Sequence, residues 1–319
     1  MDSVYTTTIT DEARLRGIRI RVIEPSTPIF TLEHAGREVR CFNSLTDRVG
    51  AVSFHMAQNK YLANRFLRSR GFPVPAQEKY VDMAHAAGFL KRFRRIVVKP
   101  CAQWGGRGVS VAVSDVHSLR HAVQRARRYE ENVLLEECVS GQDYRLIFVN
   151  GSYVAAILRR PAGVIGNGRD TLRKLVTRRN CAAREKDPSN VIPINAETER
   201  SLSLLGWKWS DVPASGVWAQ VRLTSNYHTG GTVDIVTECV PVPVLKMAKR
   251  VVNALGIPVI GIDFLVNTKA KRFWIIELSP DLAISPPEGK EVAKCFLDYL
   301  FPETVRCARQ KAADCQGVG

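Results

Sequence analysis

Three stretches of this sequence hold residues whose types and spacing suit phosphate chemistry. The first is Val97-Val98-Lys99-Pro100-Cys101-Ala102-Gln103-Trp104-Gly105-Gly106-Arg107-Gly108-Val109. A lysine closing an apolar strand, then a glycine-rich turn, sets one cation and several backbone N–H groups around a polyphosphate. Many hairpins carry such a turn, so it is weak alone; the absence of Gly-x-x-x-x-Gly-Lys-Ser/Thr excludes a P-loop. The second is a pair of carboxylates, Asp263 in Gly261-Ile262-Asp263-Phe264 and Glu277 in Ile275-Ile276-Glu277-Leu278. Each sits in an apolar strand, where an unpaired charge is costly. Two resolutions stay open: hard oxygen ligands for Mg²⁺ on nucleotide phosphates, or carboxylates neutralised by Arg or Lys. Beside the first stretch, the metal reading is preferred. The third is Leu134-Leu135-Glu136-Glu137-Cys138-Val139-Ser140-Gly141-Gln142-Asp143-Tyr144-Arg145. A strand leaving for a linker exposes backbone groups that can read an adenine edge, and Asp143 can accept from ribose hydroxyls. In isolation this is a generic strand–turn–strand.

The elements that must position these residues follow from periodicity and turn chemistry. Strands are expected at Ile18–Ile23, Ile29–Leu32 and Val39–Phe42, the last two around Ala35-Gly36, making a small α/β piece. An amphipathic helix over about Gln58–Arg68 ends at Gly71 and Pro73-Val74-Pro75. Strand and helix then alternate: Met83–Phe93 helical, Ile96–Lys99 extended, Val109–Val113 extended, a helix capped by Ser114 or Asp115 to about Arg128, and Val133–Leu135 extended. Asn150-Gly151 is a hairpin dipeptide between Tyr144–Val149 and Tyr153–Arg159. Glycines 163, 166 and 168 precede a basic helix near Asp170, and Asp187–Pro193 reads as a linker. Val217–Leu223 is expected as a strand, Val244–Leu255 as a helix, and Val259–Val266 with Phe273–Leu278 as a closing antiparallel pair. The tail after Phe301 is polar. The fold class is α+β, with two lobes meeting at a cleft.

Composition narrows the function classes. At 319 residues, 45% hydrophobic and 24% charged, the chain reads as globular with room for more than one subdomain. No apolar run is long enough to cross a bilayer, and Met1-Asp2-Ser3-Val4 lacks a secretory pattern, so a cytoplasmic protein without membrane partners is expected. Eight scattered cysteines without Cys-x-x-Cys read as reduced thiols, and His117 and His121 as ordinary helix residues. A net charge of +15 attracts anions. Lys91-Arg92-Phe93-Arg94-Arg95 is read as the solvated end of a helix; no recognised nucleic-acid module surrounds it, so nucleic acid is not the expected partner.

The order and spacing of the three stretches resemble ATP-grasp ligases, of the branch with cyanophycin synthetase, bifunctional glutathione synthetase and N-acetylglutaminylglutamine synthetase. The resemblance runs from about Arg16 to Leu282. It rests on SLTDR, NKYLANRFLRSRGFPVP, VVKPCAQWGGRGV, LLEECVSGQDYRL, RRPAGVIGNGRDTLRKL, SNYHTGGT, GIDFL and IIELSP in that order. It implies two α/β lobes with the nucleotide between them: a short N-terminal segment (1–47), an N-terminal lobe (48–136), a C-terminal lobe (137–300) and a polar tail (301–319).

Position by position, the resemblance implies ATP with Mg²⁺ (or Mn²⁺) as cofactors. Lys60 and Lys99 fall at phosphate-contacting positions, and Gly105, Gly106 and Arg107 in the loop that covers the phosphates. Glu136, Glu137 and Val139 lie at the adenine hinge, with Asp143 at the ribose. Asp263, Glu277 and Ser279 fall at the metal positions. Arg159, Arg160, Arg222 and Asn226 match positions facing the acyl phosphate or the carboxylate, with solvated strand ends as the alternative. The implied reaction is ADP-forming: a carboxylate becomes an acyl phosphate and an amine then attacks, with Arg222 on the developing oxyanion. Glycine-rich loops at 105–108 and 163–168 are expected as water-excluding lids.

The sequence departs from the family at three places. Ser279 stands where Asn is usual, with Asp281 as a substitute ligand; Ala102-Gln103-Trp104-Gly105 replaces the common Asp-Gly-Asn-His; and the N-terminal portion is short. A homodimer partner or a separate protein completing the site is therefore a further expectation. The expected substrates are small carboxylates and amines of the amino-acid type. A ligase acting on a peptide or protein terminus, or a degenerate nucleotide binder, is the alternative.

Overall fold

The computed structural model describes residues 4–103, 105–282 and 286–305. Helix α1 (Val4–Leu15) enters a four-stranded antiparallel sheet of β1 (Arg19–Glu24), β2 (Ile29–His34), β3 (Arg37–Phe42) and β4 (Leu45–Thr46), in that order. Ala35 and Gly36, both at positive φ, make the β2–β3 turn. Helix α3 (Lys60–Ser69) is the helix expected over about Gln58–Arg68, and helix α2 (Ala51–Gln58), not expected from the sequence, precedes it. The break is Asn59, whose extended backbone lets its side chain accept from Tyr61 and Leu62 N–H and cap α3.

A second antiparallel sheet comprises β5 (Gln77–Lys79), β8 (Val133–Glu137), β6 (Ile96–Pro100) and β7 (Ser110–Val113), adjacent in that order. Helices α4 (Met83–Phe93) and α5 (Val116–Arg127) cover one face, packing Phe89, Leu119 and Val123 against Ile96, Val98, Val113 and Leu135. Asp82 and Asp115 cap them through His85 and Ser118 N–H. Alternation turns Gln77, Lys79, Val97, Lys99, Leu134 and Glu136 to the opposite face.

The third sheet runs β13 (Thr232–Ile235), β10 (Ser152–Arg160), β9 (Gln142–Val149), β14 (Val259–Asn267) and β15 (Arg272–Ser279). One face is apolar throughout: Leu146, Phe148, Ile260, Ile262 and Phe264 pack with α8 (Val242–Leu255) and Leu67 of α3. The other face is divided along the strands. Ile147, Val149, Ala155 and Val259 are covered by α1, the N-terminal sheet and α9 (Pro286–Leu300). Further along, the same face carries Asp143, Arg145, Arg159 and Asp263.

An inserted layer holds β11 (Gly163–Ile165), α6 (Leu172–Lys186), α7 (Ala196–Leu204) and β12 (Trp218–Gln220) over their own small core. Neither α7 nor α9 was expected from the sequence, and the strand expected over Val217–Leu223 pairs only at Trp218–Gln220. Glycines 163–168 do not form an open lid. A Cβ on Gly163 would lie 2.3 Å from the Trp218 ring, and one on Gly166 2.3 Å from the Ala214 carbonyl oxygen, so they are glycine for close packing. Of the expected polar tail, Phe301 and Thr304 are buried; residues 306–319, like Trp104 and residues 283–285, lie outside the described residues.

Candidate functional site

The second and third sheets and α3 hold several of the sequence-derived residues in ion pairs. Lys99, 5% exposed, donates from Nζ to Glu136 Oε2 at 2.7 Å. Lys60 donates to the Gln103 carbonyl oxygen at 2.5 Å and pairs with Glu277 at 2.9 Å, tying α3 to the glycine-rich loop and to β15. Buried Cys101 lies within electrostatic reach of Lys60, Lys79 and Lys99, although burial still pushes its thiol up to about 11.

On the third sheet Asp263 stands opposite Glu277 across the β14–β15 pair and opposite Arg145 across β14–β9. Arg145 binds both Asp263 oxygens, at 2.7 and 2.9 Å, and reaches Ser279 Oγ at 3.1 Å. Arg159 spans Asp143 at 2.6 Å and Asp263 at 2.7 Å. Burial alone would favour a neutral Asp263, but Arg145 and Arg159 hold it down at about 2. Burial pushes the Asp143 carboxyl up against the pull of Arg159. Four cations (Lys60, Lys99, Arg145, Arg159) thus meet four carboxylates (Glu136, Asp143, Asp263, Glu277). Arg145 and Lys79 were not singled out from the sequence as cations of the site; the i, i+2 spacing of Arg145 from Asp143, on one face of a strand, was the available signal.

A second group gathers at a cavity of about 330 Å³ between the glycine-rich loop and residues 193–229. Gly105, Gly106 and Arg107 line it with Arg125, Glu197 and Arg222. Asn226 sits against the loop, its side chain 3.5 Å from where a Gly106 Cβ would be, and it accepts from His228 N–H. Arg222, 4% exposed, donates from Nη1 to Thr198 Oγ1 at 3.0 Å, but its Nε is buried without a partner. Among the described residues no carboxylate makes a direct ion pair with it; Glu197 acts on it from farther off and is paired with Arg125 and Arg200. Burial accordingly pushes the Arg222 guanidinium down from its ordinary value. Arg160 joins neither group: strand alternation puts it opposite Arg159, and it pairs with exposed Asp234 at 2.7 Å.

The linker 138–141 joins the two sheets, with half-buried Val139 within it. Glu137 is occupied structurally, its carboxylate accepting from Ala76 N–H at 3.2 Å. A Cβ on Gly141 would lie 2.7 Å from the backbone of Val266, so the linker passes against β14 only as glycine.

Whether the acidic pair suits a divalent cation depends on its free lone pairs. Both Asp263 oxygens are occupied by guanidiniums, whereas Glu277 is 33% exposed and engaged by Lys60 alone. Two carboxylates on paired strands and a hydroxyl, Ser279, are oxygen donors of the kind Mg²⁺ takes when phosphates complete its shell. They fit a shared cation and not a closed cage; among the described residues no group of three or more His, Cys, Asp or Glu could hold a metal alone.

Two facing sheets with lysines on one, carboxylates on the other and a glycine-rich loop at the rim define a nucleotide-grasping architecture. The family model described as ATP-grasp domain matches residues 57–283, and the chain belongs to this family. It is similar to cyanophycin synthetase of Trichormus variabilis, at 27% identity over 93% of this chain and 35% of that protein. It is also similar to the glutathione biosynthesis bifunctional protein of Streptococcus thermophilus, at 25% identity over 92% of this chain and 42% of that one. The chain thus spans about two-fifths or less of the length of these curated relatives. The solved bifunctional glutathione synthetase of Pasteurella multocida shares the fold, with TM-score 0.63 at 21% identity, over 94% of this chain and 43% of that one. D-alanine–D-alanine ligase of Bacillus anthracis does so at TM-score 0.51 and 13% identity, over 82% and 72%. No helix among the described residues is long and apolar enough to cross a membrane.

Proposed function

We propose that this chain is the catalytic unit of an ADP-forming ligase that activates a small carboxylate as an acyl phosphate and joins it to an amine, both of the amino-acid type. The observation that carries the reading is Arg222: a buried guanidinium whose Nε has no hydrogen-bond partner and which makes no direct ion pair, lining a cavity with the glycine-rich loop. A buried cation without a direct ion pair is costly, and the anion that completes it is the carboxylate or its acyl phosphate. Residues 48–136 and 137–300 are the two halves of the nucleotide site, with the N-terminal segment 1–47 and the polar tail 301–319 outside it, in a cytoplasmic protein. Lys60 and Lys99 bind ATP phosphates, Glu136, Glu137 and Val139 border the adenine, and Asp143 the ribose.

Mg²⁺, shared by Glu277, Asp263, Ser279 and the phosphates, would supply charge neutralisation at the transferring phosphoryl group. The chain's own groups orient and enclose. Lys60 holds the loop through the Gln103 carbonyl and Asn226 props it at Gly106, while Arg222 receives the developing oxyanion. One observation favours a nucleotide binder without turnover: both oxygens of Asp263 already accept from arginines.

ADP release with Mg-ATP, screened over amino acids and N-acylated amino acids as pairs, separates the two. Release that requires both substrates and is lost in Lys99→Ala supports the ligase. ATP binding without release across the panel supports the binder.

A further inference from the structure

Gln77 stands opposite Glu136 across the β5–β8 pair, on the face that carries Lys99. Its Nε2 donates to Glu136 Oε2, the same oxygen that accepts Lys99 Nζ at 2.7 Å. An ionised carboxylate can only accept, so the amide is oriented: Nε2 faces Glu136 and Oε1 faces away. That Oε1 is buried and has no hydrogen-bond partner. A buried acceptor stripped of water and given no donor is a standing free-energy penalty that a ligand N–H would remove.

The geometry points to Gln77 as the residue that selects the nucleobase, its Oε1 accepting from the exocyclic amine of adenine. This rests on reading the cleft beside Glu136 as the nucleotide site. Adenine presents an N–H₂ donor at position 6, where guanine and hypoxanthine present a carbonyl. A carbonyl there meets the Gln77 Oε1 acceptor and is repelled. The Glu136–Lys99 pair fixes the amide at one end and a phosphate-contacting cation at the other, so base choice and phosphate capture share one carboxylate.

The test is calorimetric titration of the full chain with ATP, GTP and purine riboside triphosphate, which lacks any group at position 6. The wild type is expected to prefer ATP over purine riboside triphosphate by about five- to hundredfold, the range for one satisfied buried acceptor. Gln77→Leu is expected to erase that preference while leaving purine riboside triphosphate within about twofold. Gln77→Asn, which keeps the amide but draws it back by a methylene, should do the same and serves if Gln77→Leu fails to fold. Equal losses for both nucleotides would show that Gln77 only holds Glu136, and an unchanged ratio would show that it reads nothing; either overturns the proposal. ATP binding that is absent, or indifferent to Lys99→Ala, overturns the nucleotide reading of the cleft and Gln77 with it.

Discussion

Lys99 and Arg222 are both buried cations, but Lys99 makes a direct ion pair, whereas Glu197 acts on Arg222 only from farther off. Removing Arg222 should therefore separate stability from activity. Arg222→Met is expected to raise the thermal midpoint, because a buried charge without a direct ion pair is replaced by an apolar chain of similar length. The same variant should lower turnover about 10²- to 10³-fold, the usual effect of deleting one oxyanion donor. A fall in both quantities would mean that the guanidinium is compensated in the folded protein. Two other carboxylates give opposite pH dependences. Burial would raise Asp263, but its arginines hold it at about 2, against about 3.9 in an unfolded chain. Its stabilisation is present above pH ~4 and is lost as pH falls towards 2. Asp281 is pushed up to about 6 by burial, with Asn43 alone to offset it. That group favours the folded state below pH ~4, and the advantage is lost as pH rises to about 6. Denaturant melts across pH should thus show stability falling on both sides of about pH 4, and Asp281→Asn should remove only the upper arm.

At the scale of elements, the glycine-rich loop between β6 and β7 is the sharpest case. Gly105 and Gly108 share φ +71°, but a Cβ on Gly105 meets nothing within 4 Å, whereas on Gly108 it would lie 2.9 Å from Pro100 Cγ and 3.0 Å from the Tyr129 ring. Gly105→Ala should cost about 1 kcal/mol of backbone strain, and Gly108→Ala clearly more, in thermal or urea melts. Strand alternation explains why so much of the fold was legible. The apolar runs of β6, β9 and β14 and the Asn150-Gly151 turn fall where expected, and Asp263 faces Glu277 as the strands suggested. What periodicity missed has physical causes. The α2–α3 break depends on one Asn cap. Helix α7 begins at Asn195 with Glu197 and Glu199 in its first turn, a start signal hidden beside the proline-bounded stretch. Sequence could not show that Arg145 would claim both oxygens of Asp263, since that pairing needs the β9–β14 register. Nor does adjacency tell Arg159 from Arg160; only the direction of the pleat sends one into the cleft and the other to Asp234.

At the scale of the whole molecule, the N-terminal sheet is part of the central core. Phe30, Leu32 and Val39 share one apolar cluster with Ile147, Val149, Val259 and Phe296, and buried Arg16 holds α9 through Asp298 and the Lys294 carbonyl oxygen. Ser44 exchanges two hydrogen bonds of 2.9 Å with Leu282, close to the acidic pair. A chain beginning at residue 48 should therefore lack fixed packing, seen as lost near-ultraviolet dichroism and dye binding; a cooperative native melt would show an independent segment instead. The balanced cleft sets how a nucleotide arrives. Each lysine and arginine of the site's ion pairs already faces a carboxylate. On the proposed reading a polyphosphate would bind by exchange, each phosphate oxygen displacing a carboxylate from its cation, and the carboxylates so released would be free for a cation accompanying the nucleotide.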